Sequence, residues 1–117
     1  MNKKQKFGKW GEDNAVEYLF SKGYSILDRN FRTPYGEIDI TDWIDEITVF
    51  VDGKTRSSRV FGYPEDALTK QKLKHIRASA EFYAAENDLE TWQNDAIAIE
   101  GISDVSPRME HFENVTN

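Results

Sequence analysis

The chain has 117 residues, of which 38% are hydrophobic and 31% charged, and its formal net charge is −6. This length suits one domain over residues 1–117, and the composition is that of a globular protein rather than a disordered tail. The sequence holds no cysteine, which excludes disulfides and zinc–thiolate sites. No apolar run approaches the ~18 residues of a membrane span, and the basic start MNKKQKFGKW lacks the apolar stretch of a secretory signal. We therefore expect a cytoplasmic protein with no membrane partner.

The first helix is predicted over residues 8–22 and ends before Gly23, because glycine tolerates the left-handed geometry of a helix end. The face that follows helical spacing consists of Gly8, Glu12, Ala15 and Leu19. Its small residues would let the helix approach a sheet closely.

Three strands are predicted next, over residues 24–31, 37–41 and 47–54, with a turn at 33–36 and a polar loop at 42–46. A long helix is predicted from near Pro64 to near Asn87. Two more strands follow, at 95–100 and 109–115. Consecutive hairpins and one crossover helix predict an α/β fold in the order α-β-β-β-α-β-β, with a mixed sheet flanked by helices.

Strand parity brings two acids and a lysine together. Side chains alternate between the two faces of a strand, so Asp39 is predicted on one face and both Ile38 and Ile40 on the other. In the next strand Asp52 and Lys54 share a face. If the two strands pair as a hairpin, Asp39 can lie near both residues.

Glu12 supplies a third carboxylate, on the apolar face of the first helix. Burying an unpaired carboxylate is costly, and a cation shared with Asp39 and Asp52 would relieve that cost. Mg²⁺, with Mn²⁺ as a substitute, prefers carboxylate oxygens, binds substrate phosphate and lowers the pKa of a bound water. A lysine such as Lys54 can then orient the attacking water or stabilise charge on the phosphate, as phosphodiester hydrolysis requires.

The stretches GEIDI (36–40) and FVDGKTR (50–56) resemble the PD-(D/E)XK nuclease core of restriction endonucleases and archaeal Holliday-junction resolvases. The chain resembles the small bacterial YraN-like family still more closely. That resemblance covers nearly the whole chain and includes GKWGEDNAVEYLFSKGYSILDRNFR (8–32), FGYPEDALTKQK (61–72), NDAIAI (94–99) and HFENV (111–115). A D-x-K triplet alone is weak, whereas these segments in this order are a specific pattern.

The resemblance implies a restriction-endonuclease-like fold and a role for each matching residue. Asp39 and Asp52 would bind the metal, Lys54 would be the catalytic lysine, and Glu12 would be the helix-borne acid of the resolvase-like branch. Two positions depart from the family pattern. The acid before the lysine is usually glutamate but here is Asp52, and the residue between is usually valine but here is Gly53.

The resemblance also implies DNA as the partner, structured or branched by analogy with resolvases, and a homodimer if two strands are cut symmetrically. Residues 1–85 carry 14 bases and 13 acids, whereas residues 86–117 carry one base and eight acids, so the first part permits a surface that binds phosphates. The candidate nucleic-acid-binding residues are Arg56, Lys70, Gln71, Lys74 and Arg77.

Other interpretations stay open. A D-x-K on a strand is ordinarily a solvated ion pair, and Glu12 can simply interact with the dipole of its own helix. The residues Lys70, Lys74 and Arg77, which recur at helical spacing, ordinarily form a solvated helix face. The chief alternative to a nuclease is a non-catalytic module that keeps the fold and binds nucleic acid or a protein partner. A second alternative is a structural interaction protein. His75 and His111 have no second histidine at ligand spacing and are expected to be structural or surface residues.

Overall fold

In the computed structural model, the described residues (1–57, 67–101 and 106–116) form two helices and five strands in the predicted order. The elements are α1 (Lys3–Ser21), β1 (Ser25–Thr33), β2 (Gly36–Ile44), β3 (Ile47–Arg56), α2 (Lys70–Glu86), β4 (Trp92–Glu100) and β5 (Arg108–Phe112). The strands form one sheet in the order β1-β2-β3-β4-β5, in which β3 and β4 pair in parallel and the other pairs are antiparallel. The predicted α/β fold, a mixed sheet flanked by helices, is confirmed.

Helix α1 begins five residues before its predicted start. The Asn2 side chain accepts a hydrogen bond from the Gln5 N–H at 2.8 Å, and the Gln5 side chain accepts one from the Asn2 N–H at 3.0 Å. This reciprocal capping box satisfies two N–H groups that the helix itself leaves unpaired. The predicted end is confirmed, since Gly23 has a φ of 95° directly after the C-cap Lys22.

Helix α1 packs on the sheet through Gly11, Ala15 and Leu19, all of which are buried. The expectation that Gly8 forms this contact was wrong, because Gly8 is exposed and has nothing near its Cβ position. A Cβ on Gly11 would instead clash with the side chain of Thr55. Gly11 therefore sets the distance between α1 and β3.

The predicted loop at 42–46 is shorter than expected. Strand β2 continues to Ile44, and the turn consists of Asp45 and Glu46, whose φ angles are 49° and 66°. Two successive positive φ angles are typical of the type I′ turn that joins tightly paired strands. Asp42, expected in the loop, is consequently a fully buried strand residue.

Helix α2 begins at Lys70, where the Thr69 side chain accepts a hydrogen bond from the Lys72 N–H. The predicted start near Pro64 lies outside the described residues, and the predicted end near Asn87 is confirmed by the position of the C-cap. Strand β4 begins three residues earlier than predicted. Strand β5 ends at Phe112 rather than at 115, and the chain turns at Asn114, which has a φ of 57°.

The sheet separates two apolar clusters. Under α1 the buried cluster includes Ile40, Val49, Val51, Ile97 and Ile99. Under α2 it includes Ile38, Phe50 and Ala80. Neither described helix combines the length and the apolar content that a membrane crossing needs.

Candidate metal and nucleic-acid site

Asp39 lies where strand β2 departs from regular alternation. Ile38 packs in the cluster under α2 and Ile40 in the cluster under α1, so the prediction that they share a face was wrong. On the neighbouring strand Ile40 lies opposite Arg29 and Ile38 opposite Phe31, and Asn30 between those two has a φ of 55°. Asp39 thus stands between the two faces, at a position that strict parity does not give.

The paired ladder between β2 and β3 also ends here, with Ile40 opposite Val51 as its last pair. Asp39 Oδ2 accepts a hydrogen bond from the Gly53 N–H at 2.8 Å, which fixes the carboxylate beside β3. A Cβ on Gly53 would lie 3.7 Å from Asp39 Oδ2, an ordinary contact distance. The β3–β4 pairing runs through Gly53 without a shift, so this glycine does not produce a bulge.

Asp39 and Asp52 are electrostatically coupled. The pKa of Asp39 is raised to about 7, chiefly by burial and next by the charge of Asp52, while the Gly53 hydrogen bond opposes both effects. Burial also raises the pKa of Asp52, against the attraction of Lys72 and Lys54. Two carboxylates that are hard to ionise together form a site that favours an added positive charge.

Lys72 of α2 contributes a contact that the sequence analysis missed. Its Nζ lies 3.1 Å from Asp52 Oδ1, while 46% of its side chain stays exposed. Lys72 precedes Ile76 by four residues, and Ile76 lies on the helix face beside Phe50 of the sheet. Extending that face by one turn was the signal that could have identified Lys72.

The two acids border an open cleft of about 500 Å³. Lys54, Arg56 and Lys72 bring positive side chains to its lining. Lys54 is exposed and its charge lowers the pKa of Asp52, so it lies within electrostatic range of the acids. The cleft therefore combines buried negative charge with basic residues nearer to solvent.

Glu12 lies beside this site but is already engaged. Its Oε1 accepts hydrogen bonds from Arg29 Nε at 3.1 Å and Nη2 at 2.9 Å, and its Oε2 accepts one from Asn30 Nδ2 at 3.0 Å. Glu12 and Asp39 line one surface hollow, and the Glu12 charge contributes to the raised pKa of Asp39. In this structure Glu12 acts on Asp39 through its charge, and Arg29 holds it in place.

The predicted nucleic-acid-binding residues do not gather in one place. Arg56 lines the cleft, whereas Lys70, Gln71 and Lys74 are exposed on α2 outside the described cleft lining. Arg77 donates a hydrogen bond from Nη2 to the Thr116 carbonyl oxygen at 2.8 Å and lines a separate hollow. Of the predicted set, Arg56 alone therefore borders the acids.

The donor set fits a hard divalent cation. Asp39 and Asp52 offer carboxylate oxygens, and their mutual repulsion in a partly buried position would be relieved by positive charge. In the structure the Lys72 ammonium supplies part of that charge to Asp52. Asp39 and Asp52 are thus the residues that would hold Mg²⁺, with Glu12 adding negative charge beside them.

Comparison with known proteins identifies relatives of the chain. A family model described as "Uncharacterised protein family UPF0102" matches residues 11–99. A UPF0102 protein of Syntrophotalea carbinolica is 42% identical over 107 residues, which cover 90% of this chain and 86% of the relative. One from Thermus thermophilus is 38% identical over 105 residues, which cover 90% of this chain and 92% of the relative. One from Syntrophomonas wolfei is 47% identical over 79 residues, which cover 68% of this chain and 69% of the relative.

Proposed function

The chain belongs to the UPF0102 family, and from the chemistry of the cleft we propose that it is a metal-dependent nuclease acting on DNA. The observation that carries the proposal is the coupled pair Asp39 and Asp52, whose pKa values are both raised in a cleft that also holds Lys54. Such a pair costs folding stability, and a site for a cation and a phosphate accounts for that cost.

Each residue has a distinct role in this proposal. Mg²⁺, when bound, supplies a polarised phosphoryl oxygen and a bound water of lowered pKa. Asp39 is oriented by the Gly53 N–H, and Asp52 by the Lys72 ammonium. Lys54, exposed in the cleft, stabilises the negative charge that develops on the phosphate in the transition state.

Arg56 is assigned to the phosphate backbone of the DNA, since it lines the same cleft as the acids. Phosphate contacts carry no base information, so Arg56→Ala should weaken binding to all sequences about equally. Binding of the parent protein should also fall steeply with salt, because counterions are released from the DNA. We propose branched DNA as the preferred substrate, and a homodimer where two strands are cut symmetrically.

A cleavage assay tests the proposal. The purified protein is incubated with Mg²⁺ or Mn²⁺ and either a four-way junction or a linear duplex of the same sequence. We expect metal-dependent cleavage that Asp52→Asn abolishes. Glu81→Gln, an exposed acid of α2, is the matched control and should cut like the parent. Cleavage that survives Asp52→Asn would contradict the proposed site.

A second candidate is a module that binds DNA without cutting it. Two observations favour this alternative: Asp52 is one methylene shorter than the usual glutamate, and Lys72 already neutralises part of its charge. The parent protein would then bind metal and DNA but cut neither substrate. The double variant Asp52→Glu, Gly53→Val tests it, since restored cleavage would show that the shorter acid had disabled the site.

A further inference from the structure

A second group of ionisable side chains lies on the opposite face of the sheet, under α1. Asp95 of β4, His111 of β5 and Glu113 offer ligand atoms that all lie within 4.8 Å of one another. The His111 Nε2 is 2.8 Å from Asp95 Oδ2. Asp95 follows Asn94 on β4 and pairs in register with Val51, the residue that precedes Asp52 on β3.

Hydrogen bonds orient this group as they orient metal ligands elsewhere. Asp95 Oδ1 accepts from Gln93 Nε2 at 2.8 Å and from the Asn114 N–H at 2.9 Å, which directs Oδ2 toward His111. His111 Nδ1 is 3.3 Å from the Tyr18 hydroxyl, so the ring is held at its second nitrogen. A histidine ligand typically has such a partner on the nitrogen that does not bind the metal.

Asp42 supplies an independent observation. Its side chain is fully buried, and neither carboxylate oxygen has a hydrogen-bond partner among the described residues. The charged groups that act on it are Asp95 and His111, two members of the group. A buried carboxylate that no described donor satisfies is costly, and a nearby cation would remove most of that cost.

We propose that Asp95, His111 and Glu113 form a second metal site, structural rather than catalytic, that binds a transition-metal dication such as Zn²⁺. One imidazole and two carboxylates suit Zn²⁺ better than Mg²⁺, which takes oxygen ligands. Glu113 is exposed just beyond the end of β5 and gives the ion a route from solvent. The ion would join the residues after β5 to β4, and the negative charge of Asp42 would favour its binding.

The experiment uses the full chain with Asp39→Asn and Asp52→Asn, so that the cleft no longer contributes metal binding. After treatment with a chelator and its removal, the protein is titrated with ZnCl₂ by calorimetry. We expect one Zn²⁺ per chain and a higher melting temperature with the metal. Absence of binding in this background would overturn the proposal whether or not the parent protein cuts DNA.

Two further variants assign the ligands. Glu113→Gln should weaken Zn²⁺ binding at least tenfold, whereas Glu81→Gln, an exposed acid on α2, should not. Because Glu113 is exposed, its replacement leaves the buried group intact, which circular dichroism verifies. In the NMR spectrum Zn²⁺ should shift the His111 ring signals and leave those of His75 in place. Unchanged affinity in Glu113→Gln with unmoved His111 signals would show that Asp95 and His111 are a hydrogen-bonded pair alone.

Discussion

Two regions of this protein hold buried acids, and they differ in how the negative charge is balanced. One is the cleft around Asp39 and Asp52, and the other is the buried group around Asp95 and His111. In the cleft the acids are accompanied by the partly exposed ammonium of Lys72, at 3.1 Å from Asp52. In the buried group Asp95 is fully enclosed and accepts hydrogen bonds from Gln93, Asn114 and His111. These partners let Asp95 support the fold and hold its Oδ2 in place for the proposed Zn²⁺, whereas the acids of the cleft are satisfied only in part.

The largest expected effect tests whether Asp95 supports the fold. Asp95→Ala would leave the His111 ring and the Asn114 N–H without their buried acceptor, so the free energy of unfolding should fall by about 3–5 kcal/mol. Asp52→Ala should be nearly neutral, because it removes an acid that repels Asp39. Urea unfolding with a chelator present measures both. Equal losses of unfolding free energy in the two variants would contradict the difference between the buried group and the cleft.

The pH dependence of stability reports on the burial of Asp42. The pKa of Asp42 is raised to about 7, chiefly by burial and next by the charge of Asp95. In the unfolded chain an aspartate ionises near pH 4, so the unfolded state binds fewer protons between pH 4 and 7. Stability should therefore fall as pH rises through this range, by up to about 4 kcal/mol for Asp42.

Asp42→Asn should flatten that decline when metal-free protein is unfolded in urea at a series of pH values. Asp39→Asn should flatten it as well, since the pKa of Asp39 is also about 7. Asp45→Asn, in the exposed turn, is the control and should leave the slope as in the parent. A slope that persists in the double variant Asp39→Asn, Asp42→Asn would assign the dependence to other groups.

The proposed nuclease activity of the cleft depends on Lys54. Lys54→Ala should lower the cleavage rate about a hundredfold, or ~3 kcal/mol, and leave Mn²⁺ binding intact, because its role is assigned to the transition state. Lys22→Ala, at the exposed C-cap of α1, is the control and should cut like the parent. Calorimetry and the cleavage assay are run on the same samples. Parent-like cleavage by Lys54→Ala would make that lysine a surface residue.

The smallest expected effect on stability concerns α1, the helix that contacts both regions. Gly11→Ala should cost about 1–3 kcal/mol, since its Cβ meets Thr55 and α1 must shift. Gly8→Ala in the same helix should instead stabilise the protein by about 1 kcal/mol, because the site is open and alanine favours helix. Thermal melts compare the two. Should both variants gain stability, the close approach of α1 to β3 would be in doubt.

The fold was predictable because periodicity and turn residues are local signals, whereas parts of both sites depend on distant contacts. The order of elements and the end of α1 at Gly23 follow from such signals. The two faces taken by Ile38 and Ile40 do not, because the irregularity in β2 coincides with a positive φ at Asn30 on the neighbouring strand. Parity thus predicted the neighbourhood of Asp39 without its actual orientation.

The residues that were not predicted have separate reasons. The sequence analysis selected other residues of the second helix for DNA binding and passed over Lys72, so the approach of Lys72 to Asp52 was not anticipated. Asp42 was assigned to a loop, because the two-residue turn after β2 contains no glycine that would mark its position. The contact between Asp95 and His111 depends on the pairing of β4 with β5, which no local pattern encodes.

The alternation of Val51, facing α1 beside Asp95, with Asp52, facing α2, has a consequence for the accuracy of folding. A slip of one residue in β3 would turn Asp52 toward the apolar side and Val51 toward the cleft. Such a misfolded chain would lose the proposed cation site and would also change the packing around Asp95. Binding of metal in the cleft would accordingly report whether an individual molecule has reached its correct strand alignment.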